Sequence, residues 1–244
     1  MTITSPKPAA TGFFQTLLNA VAKPAGTAAL ALGIALSGLL ATTPARAASD
    51  QKAIKFVEDL GAEAIGVISD KSVGKQAMED KFQTLLQKNA DLRKIAAFSL
   101  GRYVRTPNDA QKTEYLKLFE TFIVKVYVTR LSDYNDEKFD VTGAQEKGSK
   151  GREVIVSSQI RFTNGRQPVD VKWWLLREDD GFKVFDVNVA GIWLAQEQRD
   201  QFTSILNSNN GDFAALLDHL KTKIGQAEKG QVNAAMSDGK NNAN

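Results

Sequence analysis

The chain has 244 residues, with 31 basic and 28 acidic side chains, one histidine and no cysteine. Absence of cysteine excludes disulfides, thiol chemistry and thiolate metal sites, and a single histidine, His219, leaves no material for a histidine-rich metal centre or a Ser-His-Asp triad. Lys7, Lys23 and Arg46 supply the whole basic excess, so the chain beyond Ala47 is formally neutral and lacks the surplus with which a nucleic-acid binder neutralises phosphates.

The first element reads as a targeting segment. Lys7 and Lys23 are the only charges before Arg46, the run Gly26–Ala41 is apolar or small throughout, and Ala45-Arg46-Ala47 follows. Positive, apolar and small-residue regions in that order make a secretory signal, and the 16-residue run is short of the roughly 20 needed to span a bilayer. Cleavage is expected after Ala47, leaving 197 residues, enough to bury a core without covalent staples; an uncleaved membrane anchor is the alternative. With no lipobox cysteine, the released domain is expected to be soluble and unanchored.

Helical spacing comes next. Ser49 or Asp50 is placed to cap a helix carrying Ile54, Val57, Leu60, Ala64, Ile65 and Ile68, and a second places Val73, Ala77, Phe82, Leu85 and Leu86 before ending near Asn89. A third runs through Leu92, Ile95, Ala96, Ser99, Leu100 and Tyr103. The fourth has Thr106 as N-cap, Pro107 at the first helical position and Asp109 in the first turn. Behind them come Tyr115, Leu118, Phe119, Phe122, Ile123, Val126, Tyr127, Leu131 and Tyr134. This aromatic face is expected to lie against a sheet, a partner or a ligand.

After Asn135 the period changes to two. Phe139-Val141-Gly143 is a short strand; Val154, Val156, Ser158, Ile160 and Phe162 form a second, joined at Asn164-Gly165 to a third with Val169, Val171, Trp173 and Leu175. Asp179-Asp180-Gly181 turns into a fourth, in which Lys183, Phe185, Val187 and Val189 share a phase. Gly191 is read as the end of this four-stranded antiparallel sheet. Two short helices follow, one with Leu194, Gln198, Phe202, Ile205 and Leu206, the other with Phe213, Leu216, Leu217, Leu220 and Ile224. From residue 225 the chain is polar and small, and a disordered tail is expected. The fold class is α+β, in one domain over residues 48–224.

Enzyme signatures are missing: there is no Gly-rich phosphate loop, no His-Glu-x-x-His and no G-x-S-x-G. Asp186 stands between Phe185 and Val187, and is expected to face solvent or pair with Lys172; a catalytic role would require a cavity and a perturbed pKa. His219 reads as an ordinary helix-surface histidine. On composition alone, Phe119, Phe122, Tyr127, Trp173 and Phe185 read first as filling a core, and a cavity between sheet and long helix second.

Three stretches carry a family likeness. KIAAFSLGRYVR, ending at Arg105, resembles the LGRxWR region of the MlaC family of toluene-tolerance phospholipid-transport proteins. TPNDAQKTEYLKLFETFIVKVYVTRLSDY resembles its long helix, and VDVKWWLLREDDGFKVFDVNVAGIWLAQEQRDQFTSIL its GxWKVxDV…R.QF block. Val104 stands where that family usually has tryptophan and Trp193 where serine is common, which leaves phospholipid and hopanoid both open as cargo.

The resemblance implies an NTF2-like curved sheet wrapped by the helices, with acyl tails inside and the headgroup outside. It implies no cofactor and no catalysis, a periplasmic location, and a monomer shuttling between an outer-membrane lipoprotein complex and an inner-membrane ABC transporter complex. Two tails carry roughly 30 methylenes, and wetting them costs on the order of 20 kcal/mol, so a carrier must be a dry sleeve. Under that reading the pocket is lined from the helices by Leu100, Tyr103, Val104, Phe119, Phe122, Ile123 and Val126. From the sheet it is lined by Val156, Ile160, Val171, Trp173, Phe185, Val187 and Ile192, with Arg102 and Arg105 at its mouth or on a partner surface. Two other readings stand beside it: a small-molecule enzyme using Asp186 or Tyr103, and a periplasmic adaptor whose aromatic helix docks on a membrane complex.

Overall fold

The computed structural model describes residues 44–70, 72–131, 138–163 and 165–230. The expected signal segment up to residue 43, Tyr134, Asn135, Asn164 and the tail beyond residue 230 lie outside the described residues. Four helices precede the sheet: α1 (Pro44–Ser69), α2 (Lys75–Asn89), α3 (Leu92–Ser99) and α4 (Asp109–Leu131), with a 3-10 turn at Gly101–Arg105. Then come β1 (Lys138–Lys147), β2 (Glu153–Arg161), β3 (Val169–Glu178), β4 (Gly181–Val189) and β5 (Ile192–Trp193), and finally α5 (Leu194–Ser208) and α6 (Phe213–Glu228). No helix among the described residues is long and apolar enough to cross a membrane.

The strands form an antiparallel meander in the order β1-β2-β3-β4-β5. The expected α+β fold is present, with a fifth strand where four were expected. Left-handed backbone at Ala190 and Gly191 turns the chain back on itself, so that Ile192 and Trp193 pair with Val189 and Asn188 before α5 begins. Gly191 is therefore a hairpin and not the end of the sheet. The last helix also continues past Gly225 to Glu228.

Two helix boundaries differ from expectation for local reasons. The third helix stops at Ser99 because Gly101 takes φ 54° and a Cβ there would lie 2.9 Å from the Thr203 methyl of α5. Only glycine fits both that backbone and that closeness. The fourth helix is capped by Asn108, not Thr106: Asn108 Oδ1 accepts from the Gln111 amide at 2.9 Å and Gln111 Oε1 accepts from the Asn108 amide at 3.1 Å. This is a reciprocal capping box.

The apolar residues gather in two clusters with α4 between them. One joins α1, α2 and the sheet, and takes Val124 and Val128 from α4. The other joins α3, α4, α5 and α6 around Tyr115, Phe119, Phe122 and Val126. The aromatic face of α4 thus packs on helices, where a sheet, partner or ligand was expected. Phe202 is fully buried there, with Tyr115 and Phe119 edge-on at 6.3 Å, and Tyr115 donates to the Ala96 carbonyl at 2.8 Å.

Candidate functional site

The inner face of the sheet has a tight half and a loose half. Toward the β3–β4 turn, Val154 and Leu175 are fully buried and Phe182 and Val184 nearly so. At Trp174 and Leu175 the β3–β4 register shifts by a bulge, and from there the buried phase of β4 changes character. Asp186 and Asn188 are buried, while Val187 and Val189 on the opposite phase are only half-buried. Phe139, Val141, Ile160, Val169 and Trp173 on the same stretch of sheet are also half-buried. In a filled core the apolar phase is the covered one; on this end of β4 it is the polar phase, while Val156 and Val171 on the neighbouring strands stay buried.

α1 lies across β1 and β2, and α2, α3 and α5 meet β4. On β3, Val171 and Leu175 are buried while Val169 and Trp173 are half-buried. The half-buried Phe139, Val141, Ile160, Val169, Trp173 and Val187 make a partly open apolar seam at this end of the inner face. The indole is held on two sides: Trp173 Nε1 donates to Ser158 Oγ at 2.9 Å, and the Phe139 ring stands edge-on at 6.0 Å and 89°. Ser158, itself 2% exposed, donates to the Val171 carbonyl at 3.1 Å. Phe139 is pressed against α1 at Gly61, where a Cβ would come within 2.4 Å of the ring.

The expected pocket residues divide accordingly. Val156, Trp173 and Val187 belong to the sheet-side cluster, and Val171 is buried on the same face. Ile160 and Ile192 are half-buried near the rim. Leu100, Phe119, Phe122 and Val126, with Tyr103 and Ile123 against them, belong to the helical cluster and interlock with α5 and α6. Phe185 is a correction: the bulge turns it to the outer face, out of phase with Val187, where it sits between Phe98 at 5.2 Å and Trp174 at 5.0 Å. Val104 is 39% exposed. Arg102 and Arg105 are exposed, and Arg102 donates to Asn207 and to the Tyr103 hydroxyl, which itself donates to Asn207 at 2.6 Å. That network ties the 3-10 turn to the end of α5.

Asp186 is also corrected. It neither faces solvent nor pairs with Lys172: its Oδ1 accepts from the Val187 amide at 2.8 Å and the Ala195 amide at 2.7 Å. Trp193, at the N-cap position of α5, offers no side-chain cap, so a strand carboxylate caps this helix from outside it. Burial raises its pKa, and amide hydrogen bonds from Ala195, Val187, Gln196 and Leu194 oppose the rise. The perturbation is that of a structural cap. His219 is half-buried in α6; burial and the nearby Lys223 lower its pKa.

Elsewhere the outer sheet face carries an open cleft of about 530 Å³ flanked by Ile155, Ser157, Lys172 and Trp193. Between α2 and α4, Glu79 is 3% exposed and pairs with Lys125 at 2.8 Å. Among the described residues no group of three or more His, Cys, Asp or Glu side chains is placed to hold a metal ion.

Comparison with known proteins agrees with this architecture. The family model described as MlaC protein matches residues 58–222. A curated protein of Haemophilus influenzae, the intermembrane phospholipid transport system binding protein MlaC, is 25% identical over 130 residues, covering 52% of this chain and 58% of that protein. The alignment thus spans little more than half of that relative. Among solved structures, a phospholipid-binding protein from Ralstonia solanacearum, in complex with a phospholipid, superposes with a TM-score of 0.63 at 18% identity, over 73% of this chain and 99% of that one. At that identity the likeness speaks for the fold.

Proposed function

Since the chain belongs to the MlaC family, we propose that it is a periplasmic carrier that holds the acyl tails of a phospholipid on the inner face of its sheet and shuttles the lipid between membranes. The observation that carries this reading is the loose half of the sheet, where Val187, Val189 and Trp173 are left half-covered while Asp186 and Asn188 are buried. Tails lying along the seam would cover Phe139, Ile160, Trp173, Val187 and Ile192. Leu100, Phe119, Phe122 and Val126 would back the wall from the helical side. Tails would then enter where the inner face is already half-covered, beside Trp173 and Val187.

The chemistry needed is transfer, not bond-making. A tail leaving the seam for a bilayer exchanges one apolar environment for another, so release at either membrane stays near balance. Asp186 is engaged as a helix cap and Tyr103 in the network with Arg102 and Asn207, which supports a carrier over an enzyme using either residue. Support for phospholipid as cargo comes from the liganded Ralstonia protein and the name of the Haemophilus relative. The route we propose runs between an outer-membrane lipoprotein complex and an inner-membrane ABC transporter complex, after removal of the signal segment behind Ala47.

The test is native mass spectrometry and lipid extraction on protein purified from the periplasm without detergent. Phospholipid bound in near-stoichiometric amount is expected; repeated purification with no lipid above a non-binding control would remove the reading.

A further inference from the structure

We infer that Trp173 is a fixed plug in the seam and sets the length of acyl tail that the site accepts. The inference rests on the carrier reading and adds to it a determinant of cargo. Its starting point is a polar residue in an apolar face. Ser158 is 2% exposed on the inner side of β2, opposite Val171 and beside Val156. A buried hydroxyl is costly unless hydrogen-bonded, and valine at this position would fill similar space. What serine adds is a hook: its proton goes to the Val171 carbonyl and its lone pair takes the Trp173 indole N–H.

The hook fixes a ring that is otherwise free to swing. Trp173 stands among the half-buried Phe139, Val169 and Val187 and is itself only half-buried. A large side chain there without a polar anchor would shift among rotamers as a guest pushed in. With the anchor on one side and Phe139 edge-on at the other, moving the ring means breaking a hydrogen bond and leaving the indole N–H without its acceptor. A tail advancing along the seam therefore meets a stop. Gly61 belongs to the same device, because only a residue without Cβ lets Phe139 stand close enough to α1 to brace the indole.

Removing the stop should lengthen the cargo. Truncating an indole to a methyl leaves a hollow on the order of 150 Å³, a size that stays dry and takes an apolar guest. Each additional methylene housed changes binding by about fourfold. The experiment compares the unsubstituted protein with Trp173→Ala, Trp173→Leu and Ser158→Ala, all made in one host, purified without detergent and extracted for tail-length profiling against the host lipid pool. Trp173→Leu keeps an apolar side chain should the alanine variant fail to fold. For tails differing by two methylenes, the ratio of long to short is expected to rise up to about fifteenfold in the Trp173 variants. Ser158→Ala should broaden the profile without moving its centre. If the unsubstituted protein and a folded Trp173 variant carry the same profile, the plug is overturned and the carrier stands. If no sample carries lipid, the carrier reading itself fails and the plug with it.

Discussion

Phe202 and Trp173 are both large aromatic side chains in apolar surroundings, and their settings differ. Phe202 is fully buried, with Tyr115, Phe119 and Phe122 around it at 6.2 to 6.3 Å. Trp173 is half-buried, braced by Phe139 and tethered through its N–H to Ser158. The helical cluster gains stability by closing on itself, whereas the seam holds a ring in place by directional contacts because packing alone does not cover it. Directional anchors beside half-covered apolar surface are what a site needs if that surface is to be covered by something else.

Truncation should separate the two regions most clearly. Phe202→Ala removes a ring from a filled cluster and is expected to cost about 3–5 kcal/mol. Trp173→Ala, at a half-covered position, should cost about half as much. Urea unfolding of lipid-free protein reads both, and equal losses would mean that the seam is as tightly filled as the helical cluster.

Two glycines of α1 sharpen the contrast at smaller scale. An alanine Cβ at Gly61 meets the Phe139 ring at 2.4 Å, while at Gly66 it meets nothing within 4 Å. Gly61→Ala is therefore expected to lose about 1–3 kcal/mol through overpacking, and Gly66→Ala to gain about 0.5–1 kcal/mol of helix propensity. Thermal unfolding of the pair decides it; two gains would show that the Phe139 brace yields freely.

Asp186 stands where the halves join, on a strand of the loose half and at the start of a helix of the tight one. Asp186→Ala leaves the Val187 and Ala195 amides without their acceptor and should cost about 1–2 kcal/mol, as cap losses do. Asp186→Asn keeps an acceptor oxygen and should retain both stability and bound lipid. Loss of lipid binding in the asparagine variant, with stability intact, would give the carboxylate a functional role that its geometry does not require.

How far the sequence speaks for these regions depends on periodicity. Strands β2 and β3 show a period of two, though Trp174 and Leu176 make the other face of β3 partly apolar, and Val156, Val171 and Trp173 share one phase of the β2–β3 pairing. Phe185 was misplaced because a bulge adds one residue and reverses the phase beyond it, and no side-chain pattern announces a bulge. The aromatic stripe of α4 was legible, but its neighbour was not: α4 also buries Val124 and Val128 on a second side, so its apolar pattern fits more than one packing. The capping role of Asp186 depends on a helix start eight residues further on being brought beside it, which only the fold reveals. The KVFDV and LGR stretches carried the family, and the structure gives a reason for part of the second in the left-handed Gly101 packed against α5.

The smallest expected effect is a pH dependence confined to the helical half. His219 lies in α6, and burial, with Lys223 as a lesser cause, holds its folded pKa below the ordinary value of 6.5. The folded state therefore prefers the neutral ring. Above pH 6.5 both folded and unfolded forms are neutral there and the full contribution is present. As pH falls through 6.5 toward the folded value, the unfolded chain takes up the proton first, and stability declines before levelling off. Asp186 runs the opposite way: with a raised pKa, its folded form binds the proton more readily and its contribution grows on acidification. Substitution separates the two in a window just under pH 6.5, since replacing His219 removes only the histidine's part of the profile. His219→Gln should flatten the stability profile in that window and leave lipid retention unchanged, since α6 packs on α4 and α5 and not on the sheet. A histidine variant that altered lipid retention with pH would instead couple the helical cluster to the seam, and the two regions could no longer be treated as independent.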